Sequence, residues 1–383
     1  MLSLQRLKRG PAERPRGREG QTKTKPRDPL WENVRYVSAT CVLIGHFITP
    51  LRDQYAGMHW LYNATWHLGV PAFALISGRF SSALPLTARS AQRLIQGILL
   101  PYLAVSLLTS LQIWLLGGSW NFFVVEPVAT LWFLLSLIFW KIALPYAVTL
   151  RHPLTVSVLA ALAVGFAEDV GFAFSASQTV TFFPFFYIGY LIGQGGWQRR
   201  AVEAVPRWAA ACVTVALFGG AWLADDRLEP VWLAMKRPYS QDSYDLMWGV
   251  PVRAAVLVWG VLATVALIRL VPRRRVPFMT TLGTAGLYIY VLHPLVLRQL
   301  YHVDFFRHLN TSTEAVEWLL VAIITAALLG SPPVQMIARP FVQPRARWLF
   351  RATEQDRPRE APASDQVFPP KAGKATAPER QPI

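Results

Sequence analysis

The chain has 383 residues, of which 53% are hydrophobic, 13% aromatic and only 16% charged, with a formal net charge of +16. Soluble domains average about 45–50% apolar and about 25% charged residues, so the composition excludes an ordinary soluble globular chain. The basic excess sits at the ends of apolar runs rather than over one folded face, which points away from nucleic acid as a partner and towards Lys- and Arg-rich cytosolic loops.

Residues 1–27 are rich in Arg, Lys and Pro without apolar periodicity and read as a disordered basic cytosolic tail. No signal peptide is expected, because the basic stretch continues for about 30 residues before any apolar segment. The membrane domain is expected over 28–338, followed by a second basic, Pro-rich and largely disordered cytosolic tail over 339–383.

A helix needs about 20 mostly apolar residues to cross the hydrocarbon core. Runs of this kind fall near 34–49, 61–76, 94–116, 128–149, 153–170, 180–196, 208–224, 248–270, 282–300 and 315–337. The loops between them alternate. Arg79, Arg89 and Arg93, then Arg151, then Arg199, Arg200 and Arg207, then Arg273, Arg274 and Arg275 fall on one side. Glu126, Glu168 with Asp169, and the loop 225–245 fall on the other. The expected fold is therefore an all-α polytopic membrane protein of about ten transmembrane helices with both termini cytosolic. The expected location is the cell membrane, as a multi-pass protein in contact with membrane lipid. Cys41 and Cys212 lie within apolar runs, so no disulfide framework and no metal-ligand spacing is expected.

Ionisable groups inside a span are functional candidates, because the bilayer penalises them by several kcal/mol. The first span carries Glu32, Asn33, Arg35 and His46. Arg35 and His46 are eleven residues apart, close to a whole number of helical turns, so they share one face about 16 Å apart along the axis. That geometry suits a long anionic ligand, with the guanidinium holding phosphates near the cytosolic mouth and the imidazole acting at the reactive end. A positive-inside anchor and an interfacial histidine bonded to a neighbouring helix would also account for them. Glu32, three residues before Arg35, can pair with it.

The second span brings His67 to about the depth of His46, four residues before Pro71, and His67 either serves the site or caps the distortion at that proline. Arg89 and Arg93 flank the third span as anchors or as a second phosphate contact. His293, followed by Pro294 in a late span, carries the same choice. No Gly-x-Ser-x-Gly elbow, Walker loop, His-Glu-x-x-His motif or dinucleotide fingerprint occurs. Asp and Glu are nearly confined to loops, which argues against a proton-coupled pump.

Over about 28–337 the residues resemble the acyltransferase-3 superfamily of membrane acyltransferases, nearest its fucose 4-O-acetylase-like branch. The similarity rests on Arg-Asp-x-x-x-Glu-Asn-x-Arg at 27–35 leading to His46, and on His67-x-x-x-Pro71 leading into Ser77-Gly78-Arg79-Phe80. Leu131-Trp-Phe-Leu134, Phe182-Phe-Pro-Phe-Phe-Tyr-Ile-Gly189 and Leu-Tyr-Ile-Tyr-Val-Leu-His293 extend it. Glu32 stands where Asp is usual and Arg79 where Tyr is usual, and Arg89 and Arg93 are spaced one residue wider than the family's arginine pair. No hydrolase-like domain is expected after the last span. The resemblance implies an O-acyltransferase, usually an O-acetyltransferase, that needs no bound cofactor or metal. Acetyl-CoA or another acyl-CoA would be the cytosolic donor, and a hydroxyl of a glycan or lipid-linked carbohydrate at the outer face the acceptor. His46 would be the catalytic residue, as base or as acyl carrier, Arg35 and Arg93 would bind acyl-CoA, and Asn33, Glu32, His67 and His293 complete the candidates. The loop 225–245, with Trp232, Tyr239 and Tyr244, offers an outer surface for sugar stacking. A transporter or flippase for a lipid-linked sugar is the rival reading, disfavoured by the lack of matching halves.

Overall fold

The computed structural model describes residues 28–350 except 123–124, 169–172, 225–226, 242–245 and 345. The expected tail at 1–27 and the part of the second beyond 350 lie outside the described residues, as does Tyr244. The chain divides into a unit ending at Pro344 and a second beginning at Arg345, in which only a 3-10 turn at Arg347–Leu349 is described. All that follows concerns the first unit. Its regular structure is entirely helical among the described residues.

Helix α1 (Pro29–Ile48) starts five residues before the expected run because Asp28 caps it, accepting from the Leu30 amide at 3.1 Å, and Pro29 fills its first turn. Glu32, Asn33, Arg35 and His46 therefore all ride on one continuous helix. α2 (Ala56–Arg79) returns antiparallel, with the Ser38 hydroxyl donating to the Leu68 carbonyl at 2.9 Å. α3 (Ala88–Leu94) and α4 (Leu100–Leu115) are joined through a π-helical stretch, Ile95–Leu99. α5 (Trp132–Ala147), α6 (Pro153–Ala163) and α7 (Ala176–Gly193) follow. α8 (Trp197–Ala204) and α9 (Arg207–Leu223) meet at an 80° bend. The remainder are α10 (Pro230–Ala234), α11 (Leu246–Leu270), α12 (Met279–Thr284), α13 (Gly286–His302), α14 (Ser312–Leu329) and α15 (Pro332–Val342).

The contacts fix relative directions. α7 runs parallel to α2: the Trp66 ring, midway along α2, lies 5.8 Å from the Phe182 ring in the first half of α7, and Arg79 Nη1 donates to the Gly193 carbonyl at 3.3 Å at their ends. Between these points the two backbones nearly touch, since a Cβ on Gly189 would fall 1.9 Å from the Leu75 carbonyl oxygen. Such close approach through small residues is how helices associate without a hydrophobic driving force. α9 and α11 are antiparallel, with Arg207 Nη2 donating to the Leu270 carbonyl at 3.1 Å. Trp318, early in α14, donates Nε1–H to the carbonyl of Phe47 at the far end of α1, at 2.7 Å.

α14 shows what solvent these helices are built for. Its small residues Ala315, Ala322 and Ala326 are buried, whereas Val316, Leu320, Ile323, Ile324 and Leu328 are exposed. An exposed aliphatic face of this kind would be an association hazard in water and is ordinary against lipid tails. By length and composition, Pro29–Leu51, Ala88–Leu115, Met247–Leu270 and Ser312–Leu329 can each cross a membrane, and the bent pair α8–α9 makes a fifth if counted as one span.

Three expected elements differ. The run 315–337 is broken by Gly330 and Ser331 into α14 and α15, where Ser331 turns extended before Pro332. Helix α15 continues to a fully buried Val342, past the expected tail boundary at 338. The loop after α9 is not an open aromatic shelf: Tyr239 is 1% exposed, sealed under Phe166 at 4.9 Å and donating to the Leu162 carbonyl at 2.8 Å.

Candidate active site

α13 lies parallel to α1, and the two helices meet at both levels that matter. At one end the Arg35 side chain crosses Gly286, where a Cβ would come within 2.8 Å of the Arg35 Cγ. Eleven residues along α1, the His46 ring lies 5.2 Å from the His293 ring, centroid to centroid. The fold thus brings together His46 and His293, two candidates from opposite ends of the domain.

His293 is fully buried, and its Nδ1 lies 2.9 Å from the Ile289 carbonyl oxygen one turn back. A carbonyl only accepts, so Nδ1 carries the proton and Nε2 of the neutral ring is left as a bare acceptor. That Nε2 has no partner among the described residues. His46 makes no hydrogen bond among the described residues. It keeps exposed surface beside the buried His293.

The neighbourhood of His293 is fixed by Pro294. Lacking an N–H, the proline leaves the Tyr290 carbonyl without its helical partner, and the Thr130 hydroxyl donates to it at 3.5 Å. In return the Tyr290 hydroxyl donates to the Thr130 carbonyl. This reciprocal clamp, between α13 and the 3-10 turn before α5, holds the turn of helix that carries His293.

At the other level Arg35 donates from Nη1 to Glu32 Oε2 at 2.5 Å and places its guanidinium 5.8 Å from the Phe80 ring. Glu32 is 5% exposed, so the ion pair is partly withdrawn from solvent and sets the direction of the guanidinium.

The remaining candidates stand apart. Both amide protons of Asn33 are committed to the carbonyls of Pro272 and Arg274, at 2.9 and 3.0 Å, and its Oδ1 accepts from Thr280 at 2.6 Å. It pins the basic segment after α11 to α1. His67 is buried and lines a separate cavity of 210 Å³ with Asn63, Leu217, Ala221 and Trp259, between α2, α9 and α11. Arg89 and Arg93 are exposed on α3, a helix with no buried residue. Among the described residues no group of three or more His, Cys, Asp or Glu stands close enough to hold a metal ion.

Residues 30–331 match the family model described as acyltransferase domain, of the acyltransferase-3 type. The chain belongs to the acyltransferase-3 family. It is accordingly an acyltransferase, and with its apolar helices a multi-pass membrane protein. No curated protein and no solved structure matches the chain. The matched region of this acyltransferase-3 chain contains Arg35, His46 and His293 and ends just before α15.

The candidates read from the sequence omit one residue. Arg253, inside the apolar α11, is 2% exposed, donates from Nη2 to the Arg237 carbonyl at 2.8 Å and lies 4.6 Å over the Tyr239 ring. Its signal was available, since a charge within an apolar run of 23 residues or so is costly unless something engages it.

Proposed function

We propose that the protein is an O-acyltransferase that takes an acyl group, acetyl in the simplest case, from cytosolic acyl-CoA and delivers it to a hydroxyl of a glycan or lipid-linked acceptor at the outer face. The reading stays with the fucose 4-O-acetylase-like branch that its motifs resemble. The observation that carries it is the pairing of His46 with His293 on two parallel helices whose other level holds Arg35.

The geometry suggests a division of labour. Arg35, oriented by Glu32, holds phosphate at the donor's nucleotide end, and the donor's long flexible arm follows α1 for about 16 Å to the imidazoles. His46 takes the proton of the acceptor hydroxyl as the oxygen attacks the thioester carbonyl. A C–O bond forms, the C–S bond breaks, and the proton passes to the departing thiolate. His293, with its Nε2 bare, stands where it can accept a hydrogen bond from His46 and hold that ring in its working tautomer. Arg93 is a weaker donor contact in this account, and Asn33 and His67 support the fold around it.

Ten crossings are counted in this reading: α1, α2, α3 with α4, α5, α6, α7, α9, α11, α13 and α14. The helix directions support it, because α1 and α13 point one way and α2, α7 and α14 the other. The basic ends then face the cytosol of the cell membrane, with both termini on that side.

The test is to incubate purified protein with labelled acetyl-CoA and cell-envelope glycans and to follow the label. Wild type should acetylate a glycan fraction, and His46→Ala, inserted at normal levels, should not. Product at the wild-type rate in that variant would remove His46 from the chemistry.

A further inference from the structure

Beside the Arg35 level lies a cleft of 110 Å³ whose polar lining comes from Asp28, Arg79, Arg199, Glu203 and Arg273, with Trp31 as one wall. Arg79 enters from the last turn of α2, Arg199 from α8 and Arg273 from the segment after α11. The Arg79 guanidinium stacks 4.9 Å from the Trp31 ring and 5.7 Å from Phe80, and its Nε is buried with no hydrogen-bond partner. Arg199 donates from Nε to Glu203 at 2.9 Å, and that bond holds the Glu203 carboxyl below the usual carboxylate range, so it is ionised near neutral pH. Arg269 and Arg273 also act on Glu203. The three lining guanidinium groups of Arg79, Arg199 and Arg273 against the two carboxylates Asp28 and Glu203 leave one positive charge in the cleft, with Arg269 acting on Glu203 from outside the lining.

An arginine held by aromatic stacking beside two further arginines forms a ready anion site, and the planar fork matches phosphate oxygens. A phosphate monoester carries about −1.5 to −2 charge near neutral pH, so a net-positive cleft attracts it. A cleft of this size takes a phosphoryl group rather than a nucleoside. Phe80 bridges the two levels: its ring lies 5.8 Å from the Arg35 guanidinium and 5.7 Å from that of Arg79. A ligand with two separate phosphate groups can therefore engage both.

We propose that the Arg79, Arg199 and Arg273 cleft binds a phosphate monoester, the ribose 3′-phosphate of acyl-CoA, beside the pyrophosphate at Arg35; this rests on the reading of acyl-CoA as donor. The same chemistry could be supplied by the headgroup of phosphatidic acid. The test measures binding of CoA and of 3′-dephospho-CoA to full-length protein in phosphatidylcholine nanodiscs, using wild type and the double variant Arg199→Gln, Arg273→Gln. The measurement is then repeated in discs containing phosphatidic acid. Wild type should bind CoA about tenfold more tightly than 3′-dephospho-CoA. The double variant should lose that preference while holding 3′-dephospho-CoA at wild-type strength, which also reports an intact fold. Phosphatidic acid should leave the preference unchanged. Equal wild-type affinity for the two nucleotides, or equal loss of both in the variant, overturns the assignment. Loss of the preference in phosphatidic acid discs also overturns it and gives the cleft to lipid. Failure of wild type to bind either nucleotide is a different result, since it removes the donor reading itself.

Discussion

His46 and His293 lie with their rings 5.2 Å apart, and only His293 is fixed by a hydrogen bond, from Nδ1 to the Ile289 carbonyl. One imidazole is thus anchored and the other is free to turn towards a substrate. If His293 orients or relays for His46, His293→Ala should lower kcat at least 100-fold, within the usual range for a positioned acid–base group, with the donor KM little changed. Steady-state kinetics on the purified variant decide it. A rise in donor KM at unchanged kcat would make His293 a packing residue for the donor arm instead.

Arg35 is proposed to act at the far level, so its loss should appear in donor binding rather than in chemistry. Arg35→Ala should raise the acyl-CoA KM by more than tenfold, and Arg35→Lys by less, because a point charge retains part of the attraction to phosphate but not the fork. The comparison is read from donor titrations at saturating acceptor. Equal KM values for wild type and Arg35→Ala would exclude Arg35 from the donor site.

The contact between α2 and α7 is tight enough to be tested by one methyl group. Gly189→Ala places a Cβ 1.9 Å from the Leu75 carbonyl oxygen, so the two backbones must separate, at a cost of about 1–3 kcal/mol or more. Thermal unfolding in detergent should show a lower Tm than wild type. Gly219→Ala, at a helical position with no atom within 4 Å of the added Cβ, is the matched control and should behave as wild type.

Arg253→Ala removes the donor to the Arg237 carbonyl and the cation over Tyr239. The loss should be about 2–4 kcal/mol, combining the bond with the packing of the long side chain. Limited proteolysis should find faster cleavage between α9 and α11 in this variant. A cleavage rate equal to that of wild type would mean that Arg253 does not hold Tyr239 in place.

Much of the α1 geometry was readable in the sequence, because helical periodicity is local. Asp28 and Pro29 mark the helix start, and the spacing of Arg35 and His46 places them on one face. What periodicity does not carry is the neighbour of a helix. His46 and His293 become partners only because α13 packs parallel to α1, and His67, an equal candidate in sequence, faces α9 and α11 instead. Asn33 carries the same lesson, since Thr280, which donates to its side-chain oxygen, lies 247 positions away. In sequence Tyr239 reads as a sugar platform because a loop aromatic is usually outside, but a buried arginine and a helix-end carbonyl draw it in.

The central claim is that an acyl group enters at the Arg35 level and leaves at the imidazole pair, on opposite faces of the membrane. The most direct measurement uses proteoliposomes sorted by orientation, with labelled acetyl-CoA confined to the face bearing the Arg35 end of α1 and acceptor glycan confined to the other. The account predicts labelled glycan from wild type and none from His46→Ala. Labelled product only when donor and acceptor share one face, or equal product from the variant, would contradict it.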